Sequence, residues 1–347
     1  MPSPEIMRTF YHFLAFTCHT MHPAPAVSGE PSSTAASAGT SGQGRWARPA
    51  EYRTAGGEDM GPKAMHDITD WNEEWKQQWS RYRDASMEQT GAAYWDDADA
   101  ARDFYRTSQE HRDTRVDPIL DGLPLRPESR VLDIGAGPGA IAIPAARRVR
   151  HVTAVEPAGG MYSVLEENLA AEGVDNVDVV KKLWEEVDIA TDLAGPYDIV
   201  FAKNSLSVPD IRDAIVKMHE ASSDYVAIYW FAGATPWEML SLALWPALHG
   251  RAFAVPPKCN LIYNLLYAMG VYPNIESTPL PHRYPFPSAD AAVEYFAPQV
   301  LARTPVQREV LRTYLLDHME RDGSALVIPG HSHHVKIWWK KEDHPIV

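Results

Sequence analysis

The chain has 347 residues, enough for one large domain or two, and a formal net charge of −14. A protein that binds nucleic-acid phosphates needs a basic face, so this charge and the lack of a Lys/Arg cluster argue against a nucleic-acid substrate. Two cysteines, Cys18 and Cys259, give neither a disulfide framework nor a metal-binding spacing. No apolar run approaches the roughly 20 residues that span a bilayer, so we expect no membrane partner.

Residues 1–59 differ in composition from the rest of the chain. The stretch 24–53 is rich in Ala, Ser, Gly, Pro and Thr and nearly lacks aliphatic side chains, so it cannot bury enough apolar surface to fold. We therefore expect 1–59 to be a disordered extension. Two other interpretations stay open: the apolar residues 10–18 are similar to a signal peptide, and Met60 or Met65 could be the true start.

Residues 60–126 are expected to form an N-terminal helical cap. Trp71, Trp75 and Trp79 recur at every fourth residue and therefore share one helix face. We expect this face to pack on the main domain, with a lid over the binding site as the functional alternative. A second helical stretch is expected from residue 94 to about residue 110.

The sequence VLDIGAGPGA, residues 131–140, predicts a strand, a glycine turn and the start of a helix. Such a turn cradles a nucleotide cofactor, because a side chain there would block the turn or the approach of the ligand to the backbone. Gly135, Gly137 and Ala140 fit the dinucleotide pattern G-x-G-x-x-A loosely. The pattern D-x-G-x-G-x-G, which begins at Asp133, fits more tightly.

This tighter pattern resembles motif I of the class I methyltransferases that use S-adenosylmethionine (SAM). An acid just before the turn suits the cationic amino group of SAM and would repel a pyrophosphate. The resemblance extends over about residues 95–340, and it implies that Tyr94, a pre-motif aromatic, touches the methionine end of SAM. The residues it implies around the turn are Asp133, Gly135, Ala136, Gly137 and Gly139.

The next predicted strand, residues 151–157, ends in an acid at the distance expected of a ribose-binding residue. Glu156 follows the first glycine by about twenty residues, and a carboxylate there can accept hydrogen bonds from both ribose hydroxyls. Pro157 comes directly after it. Met161 stands where the methyltransferase family often places an apolar contact to adenine.

The third predicted strand, residues 177–180, departs from the family pattern at its end. The family usually has an acid there that accepts a hydrogen bond from adenine N6, whereas this chain continues with Lys182-Leu183-Trp184. We therefore expect Trp184 to stack on adenine, with Glu185 or Glu186 as the hydrogen-bond acceptor.

The fourth predicted strand, residues 197–202, is followed by Lys203 and Asn204, which resemble motif IV of the family and are expected beside the cofactor. The form AKNSLSVPD is similar to that of small-molecule methyltransferases and lacks the N-P-P-Y run. A helix at 208–221 and a fifth strand at 225–229 continue the alternation, which predicts a parallel, doubly wound α/β sheet. We expect seven strands, mostly parallel, in a Rossmann-like methyltransferase domain at 127–347.

The C-terminal third is expected to hold the substrate side. Helices at 235–250 and 259–270 form a helical insertion at about 235–270, before the last two strands at 271–276 and 334–339. His249 and His282 lie in this region and are candidates for a general base, although neither matches a family motif. His331 and His333 could begin a metal site, but we favour a polar turn before the final strand and expect no metal.

The resemblance implies a cytoplasmic enzyme that transfers the methyl group of SAM to a small-molecule acceptor and releases S-adenosylhomocysteine. Two alternatives stay open. One is an NAD(P)-dependent oxidoreductase, which Asp133 disfavours. The other is a SAM-binding sensor or partner protein that performs no chemistry.

Overall fold

A computed structural model describes residues 69–86 and 95–343 of the chain. The expected extension at 1–59 and the expected cofactor contact Tyr94 lie outside the described residues. The helices, in chain order, are α1 (Trp71–Ser86), α2 (Ala98–Glu110), α3 (Arg112–Arg115), α4 (Asp117–Asp121), α5 (Ala142–Ala146), α6 (Gly159–Glu172), α7 (Ile189–Asp192), α8 (Ile211–Ala221), α9 (Pro236–His249), α10 (Cys259–Ala268), α11 (Ala289–Phe296) and α12 (Pro305–His318). The strands are β1 (Arg130–Ile134), β2 (His151–Val155), β3 (Val177–Val180), β4 (Tyr197–Lys203), β5 (Ser222–Ala232), β6 (Asn274–Phe286), β7 (Glu320–Asp322) and β8 (Ala325–Lys340).

The strands form one mixed sheet in the order β3-β2-β1-β4-β5-β8-β6. Strands β1 to β5 are parallel, whereas β8 runs antiparallel to both β5 and β6. This confirms the predicted doubly wound, mostly parallel α/β fold. The described sheet has eight strands, because the three-residue β7 pairs with β8 beside the seven expected strands.

Apolar side chains alternate between the two faces of the sheet. Leu132 packs on one face with Trp75 of α1 and Ile215 of α8. Val131 packs on the other face with Leu120 of α4, in a cluster that also contains residues of α5. Because both faces are covered by helices, the carboxyl edge of the parallel strands is the place left for a ligand.

The tryptophan face of α1 packs on the sheet domain, as expected. Trp75 is fully buried, and its indole N–H donates to the carbonyl of Val208 at 2.8 Å. The Trp79 indole donates to the carbonyl of Ser207 at 3.3 Å. These contacts fix the loop that follows β4, close to Lys203 and Asn204. Within the described ranges, no helix combines the length and apolarity of a membrane-spanning segment.

The last two long strands extend well beyond their predicted limits. Three prolines, Pro279, Pro281 and Pro285, make β6 hard to predict as a strand from the sequence. They are tolerated because β6 lies at the edge of the sheet, where every second N–H group points away from the neighbouring strand, and all three prolines occupy such alternate positions. The expected polar turn before the final strand is wrong, because His331 and His333 lie within β8 and pair with Pro281 and Pro279.

A third apolar cluster lies at the C-terminal side of the molecule. It joins α9, α11 and α12 to the distal end of β6 through residues such as Leu244, Phe296, Leu311 and Tyr284. Helices α11 and α12 were not predicted from the sequence. They pack on each other, on α9 and on the distal end of β6.

Candidate cofactor and acceptor site

The turn after β1 requires glycine at three positions, for two different reasons. Gly135, Gly137 and Gly139 have φ values of 72°, 57° and 87°. A Cβ on Gly135 would lie 2.2 Å from Cβ of Ser205, and one on Gly139 would lie 2.5 Å from Leu165. A Cβ on Gly137 would meet only a sulfur, 4.0 Å away. The flank of Gly137 is therefore open, so a ligand can approach its backbone.

Glu156, directly after β2, stabilises this turn through hydrogen bonds. Its side chain is 6% exposed. One carboxylate oxygen accepts the N–H of Gly137 and the other accepts the N–H of Ala158, each at 2.8 Å. Burial raises the pKa of Glu156, and these two backbone donors oppose the rise. Each oxygen keeps a further lone pair, so the carboxylate can hold the turn and still accept from a ligand hydroxyl.

Asp133 is a buried acid with one carboxylate oxygen that a ligand could satisfy. Its side chain is 3% exposed, and Oδ2 has no hydrogen-bond partner among the described residues. Burial, followed by the nearby charge of Glu156, raises the pKa of Asp133 to about 8, while Lys203 acts to lower it. A buried carboxylate oxygen without a partner is costly. A cationic N–H donor would satisfy it, and the amino group of SAM is such a donor.

The remaining cofactor candidates near the turn occupy different environments. Met161 is buried, and its sulfur is the atom nearest to the open flank of Gly137. Ala136 is buried, and its N–H donates to the carbonyl of Val155 at 3.1 Å. Pro157 is half-buried between Glu156 and the start of α6. Their contacts with a cofactor stay predictions.

The expectation for adenine stacking is wrong for Trp184. Its ring is 4% exposed and belongs to the core between the sheet and α8, and its indole N–H donates to the carbonyl of Ala214 at 3.1 Å. No open ring face is left for adenine. Glu185 is exposed, and its backbone carbonyl accepts from Lys217 at 2.8 Å. Leu183, 37% exposed, is the apolar side chain that stands free at this point.

Lys203 and Asn204 lie where β4 ends, beside the turn. Lys203 shares a sheet face with Asp133, because Asp133 pairs with Phe201 two positions earlier. Asn204 has a left-handed φ of 54°, and its N–H donates to the carbonyl of Tyr229 at 3.0 Å. Such a conformation outside glycine is uncommon and is concentrated at functional sites.

A cluster of aromatic side chains adjoins this end of β4. The ring of His334, on β8, lies 5.8 Å from that of Tyr229 and 5.4 Å from that of Phe231. Trp237, at the start of α9, packs edge-on against Phe231 at 5.6 Å. His334 Nε2 lies 3.4 Å from Oδ1 of Asn204. We call Phe231, Trp237 and His334, all half-buried, the aromatic cluster.

His334 was not among the general-base candidates, and the two that were have other roles. His249 Nε2 donates to the carbonyl of Val300 at 2.8 Å, and His249 lies at the end of α9 opposite to Trp237 of the aromatic cluster. His282 is 1% exposed; its Nε2 bonds Ser332 Oγ at 2.8 Å, and its Nδ1 bonds the Tyr284 hydroxyl at 3.3 Å. Burial lowers the pKa of His282 to about 4. Both ring nitrogens of His282 are occupied, and His249 lies at the other end of α9, so neither imidazole is placed beside the aromatic cluster with a free nitrogen.

The described parts of the chain contain no group of three or more His, Cys, Asp or Glu side chains arranged to hold a metal ion. His331 and His333 are exposed, at alternate positions of β8.

Comparison with known proteins assigns the region around the turn. Residues 131–223 match the model of a methyltransferase domain family. An uncharacterized protein of Haemophilus influenzae is 26% identical over 157 residues, which are 45% of this chain and 56% of that protein. A protein-L-isoaspartate O-methyltransferase of Methanoregula boonei is 39% identical over 72 residues, 21% of this chain and 32% of that enzyme.

Ribosomal RNA methyltransferases are also among the relatives. A 23S rRNA (uracil(1939)-C(5))-methyltransferase of Klebsiella pneumoniae is 35% identical over 92 residues, 24% of this chain and 21% of that enzyme. The expected absence of a nucleic-acid partner, drawn from charge, is therefore wrong. A net charge sums over the whole chain and does not determine the charge of one surface. The chain spans about a fifth to just over half of the length of the curated relatives described here.

Solved structures show distant likenesses. The YcgJ protein of Bacillus subtilis is 15% identical with a TM-score of 0.44, covering 64% of this chain and 96% of that one. The magnesium protoporphyrin IX methyltransferase of Synechocystis, solved with bound S-adenosylhomocysteine, is 15% identical with a TM-score of 0.35, covering 78% and 97%. The domain match covers β1, the glycine turn and β2, so the chain carries a class I methyltransferase domain, and the cofactor of such a domain is S-adenosylmethionine.

Proposed function

We propose that the protein transfers the methyl group of SAM to a small-molecule acceptor and releases S-adenosylhomocysteine. The observation that carries this proposal is the proximity of two chemically different places along one sheet edge. Asp133, a buried acid without a partner at Oδ2, lies beside the open glycine turn. The aromatic cluster is linked to it through Lys203 and Asn204: Lys203 acts on the pKa of both Asp133 and His334, and His334 contacts Asn204 at 3.4 Å.

Each residue of the cradle has a separate task. When bound, SAM supplies an electrophilic methyl group on a positively charged sulfur. Asp133 would accept from the amino group of the methionine part, and Glu156 from the ribose hydroxyls. Gly137 lets the backbone and the ligand come close. Holding the donor and the acceptor in alignment supplies much of the rate enhancement in such a transfer.

The acceptor side favours a small, ring-bearing molecule. Phe231 and Trp237 meet edge to face at 5.6 Å, so Phe231 connects the apolar ring of Trp237 to the imidazole of His334. Trp237 also packs against the apolar cluster of α9, α11 and α12, which holds its ring in place. Sites for small molecules are typically concave, apolar and supplied with a few polar groups.

The test uses SAM with a trideuterated methyl group. The protein is incubated with this donor and either a low-molecular-weight metabolite extract or total RNA, and the label is followed by mass spectrometry. We expect label in the metabolite fraction, lost in Asp133→Asn and retained in Asp178→Asn, a change at an exposed acid on β3. Label in RNA alone would contradict the small-molecule acceptor.

Two other functions predict different results. A SAM-binding sensor would bind SAM yet form no S-adenosylhomocysteine with either fraction. An NAD(P)-dependent oxidoreductase would bind the dinucleotide in preference to SAM. The unpartnered Asp133 disfavours the second, since a carboxylate near a pyrophosphate is repelled by it.

A further inference from the structure

His334 is the member of the aromatic cluster that contacts the end of β4, through Asn204. It lies on β8 opposite Phe231 of β5, on the sheet face that also carries Tyr229. The Tyr229 ring stacks against the imidazole with an interplanar angle of 20°, which fixes the tilt of the ring. The imidazole is thus oriented by packing before any ligand arrives.

The contact with Asn204 determines which nitrogen carries the proton. Nε2 lies 3.4 Å from Oδ1 of Asn204, an oxygen that can only accept, so Nε2 carries the hydrogen of the neutral ring. Nδ1 is then the accepting nitrogen. Among the described residues, no hydrogen bond to Nδ1 of His334 is present.

The surroundings of His334 keep it neutral. Burial, followed by the positive charge of Lys203, lowers the pKa of His334 to about 3. At neutral pH the ring therefore keeps a free lone pair. Lys203 is the charged side chain that acts on His334, and Phe231, Tyr229 and Trp237 supply the apolar part of the environment.

We propose that His334 binds the methyl acceptor by accepting, at Nδ1, the hydrogen bond of a hydroxyl carried on an aromatic ring. This inference rests on the proposed function and names the class of its acceptor: a phenol-type O–H. The flat, apolar sides of Phe231 and Trp237 suit the ring, and Nδ1 suits the hydroxyl.

In the proposed methyl transfer, His334 accepts the proton of the acceptor hydroxyl. A bond forms between the acceptor oxygen and the methyl carbon, while the bond from that carbon to sulfur breaks and leaves its electron pair on sulfur. The hydroxyl proton passes to Nδ1 and then to solvent. An oxygen that has gained a methyl group while keeping its proton is far more acidic than an imidazolium, so even a weakly basic imidazole takes that proton.

The first test needs no natural acceptor. Full-length protein with 15N-labelled histidine rings is studied by long-range 1H–15N NMR, and the His334 signals are assigned from their loss in His334→Gln. We expect a neutral ring protonated at Nε2 between about pH 6 and 8. Phenol should shift the Nδ1 resonance, whereas anisole, the same ring without an O–H, should not. A proton on Nδ1, equal shifts with both probes, or no shift with phenol would overturn the assignment.

The second test compares two neighbouring histidines of β8. His334→Gln should bind SAM within about threefold of wild type but lose methyl transfer to the metabolite extract by about 100-fold or more, the scale of a missing acid–base group. His333→Gln, on the opposite sheet face and exposed, should keep both. Retained transfer in His334→Gln would overturn the inference. Absence of transfer in wild type would contradict the proposed function, and the NMR result would still decide the role of His334.

Discussion

Glu156 accepts the backbone N–H of Gly137 at 2.8 Å, so the acid expected to hold the ribose also holds the turn that is expected to receive the cofactor. The two residues lie 19 positions apart, at the ends of adjacent parallel strands. A second bond from the N–H of Ala158 ties the same carboxylate to the start of α6. The spacing between the glycine turn and Glu156, which predicts a cofactor site, therefore also lets Glu156 hold the turn in place.

Replacing Glu156 should affect both binding and folding. Glu156→Ala removes an acceptor from two buried N–H groups and from the ligand, so we expect SAM affinity to fall by about 1–3 kcal/mol and stability to fall by a similar amount. Calorimetric titration and urea unfolding measure the two effects. Glu166→Gln, at an exposed acid on α6, is the control and should change neither. Wild-type affinity in a folded Glu156→Ala protein would exclude Glu156 from the cofactor site.

Gly137 should be sensitive to substitution because of the ligand. Gly137→Ala places a Cβ 4.0 Å from the Met161 sulfur, without a clash, at φ 57°, so the folded protein should lose only the strain of a left-handed alanine, about 1–2 kcal/mol. SAM binding should nevertheless be lost or strongly weakened. Gly173→Ala is a matched control, since Gly173 has φ 62°, nothing within 4 Å of its added Cβ, and a position at the end of α6. Equal SAM affinity in both variants would mean that no ligand lies against Gly137.

Asp133 should make the ligand-free protein less stable as pH rises. Its folded pKa, about 8, lies above the ordinary value of 3.8, so the folded state binds the proton more tightly than the unfolded state does. Stability from this group is complete below pH 3.8 and is lost as pH rises towards about 8. Asp133→Asn cannot titrate, so its stability advantage over wild type should grow between about pH 5 and pH 8. Urea unfolding at both pH values measures the difference, and an advantage that does not change with pH would contradict this prediction.

The sequence predicts those parts of the site that depend on local pattern. The run from Val131 to the turn, the spacing to Glu156 and the alternation of strands and helices all follow from short-range chemistry. The position of Trp184 does not, because its burial depends on α8, which begins 27 residues later. The sequence motif placed an aromatic side chain at the right strand end, but tertiary packing turned it into the core.

The proposed acceptor side shows more clearly which contacts the sequence does not predict. His334 meets Asn204 only because β8 pairs antiparallel with β5 in one register, and these two residues are 130 positions apart. A slip of one residue would bring His333 to that face instead. The three prolines of β6 similarly hide a strand that tolerates them because it lies at the sheet edge.

Calorimetric titration of SAM into wild-type protein and into Asp133→Asn, with NAD as the comparison ligand, tests the central claim most directly. We expect one saturable SAM site in wild type, with a Kd between about 1 μM and 1 mM, the range of most enzyme KM values. We expect that NAD does not bind and that Asp133→Asn loses about 1.5–3 kcal/mol of SAM binding, the scale of a hydrogen bond to a charged group. Absence of SAM binding at millimolar concentration, or an Asp133→Asn protein that binds SAM as wild type does, would contradict the account.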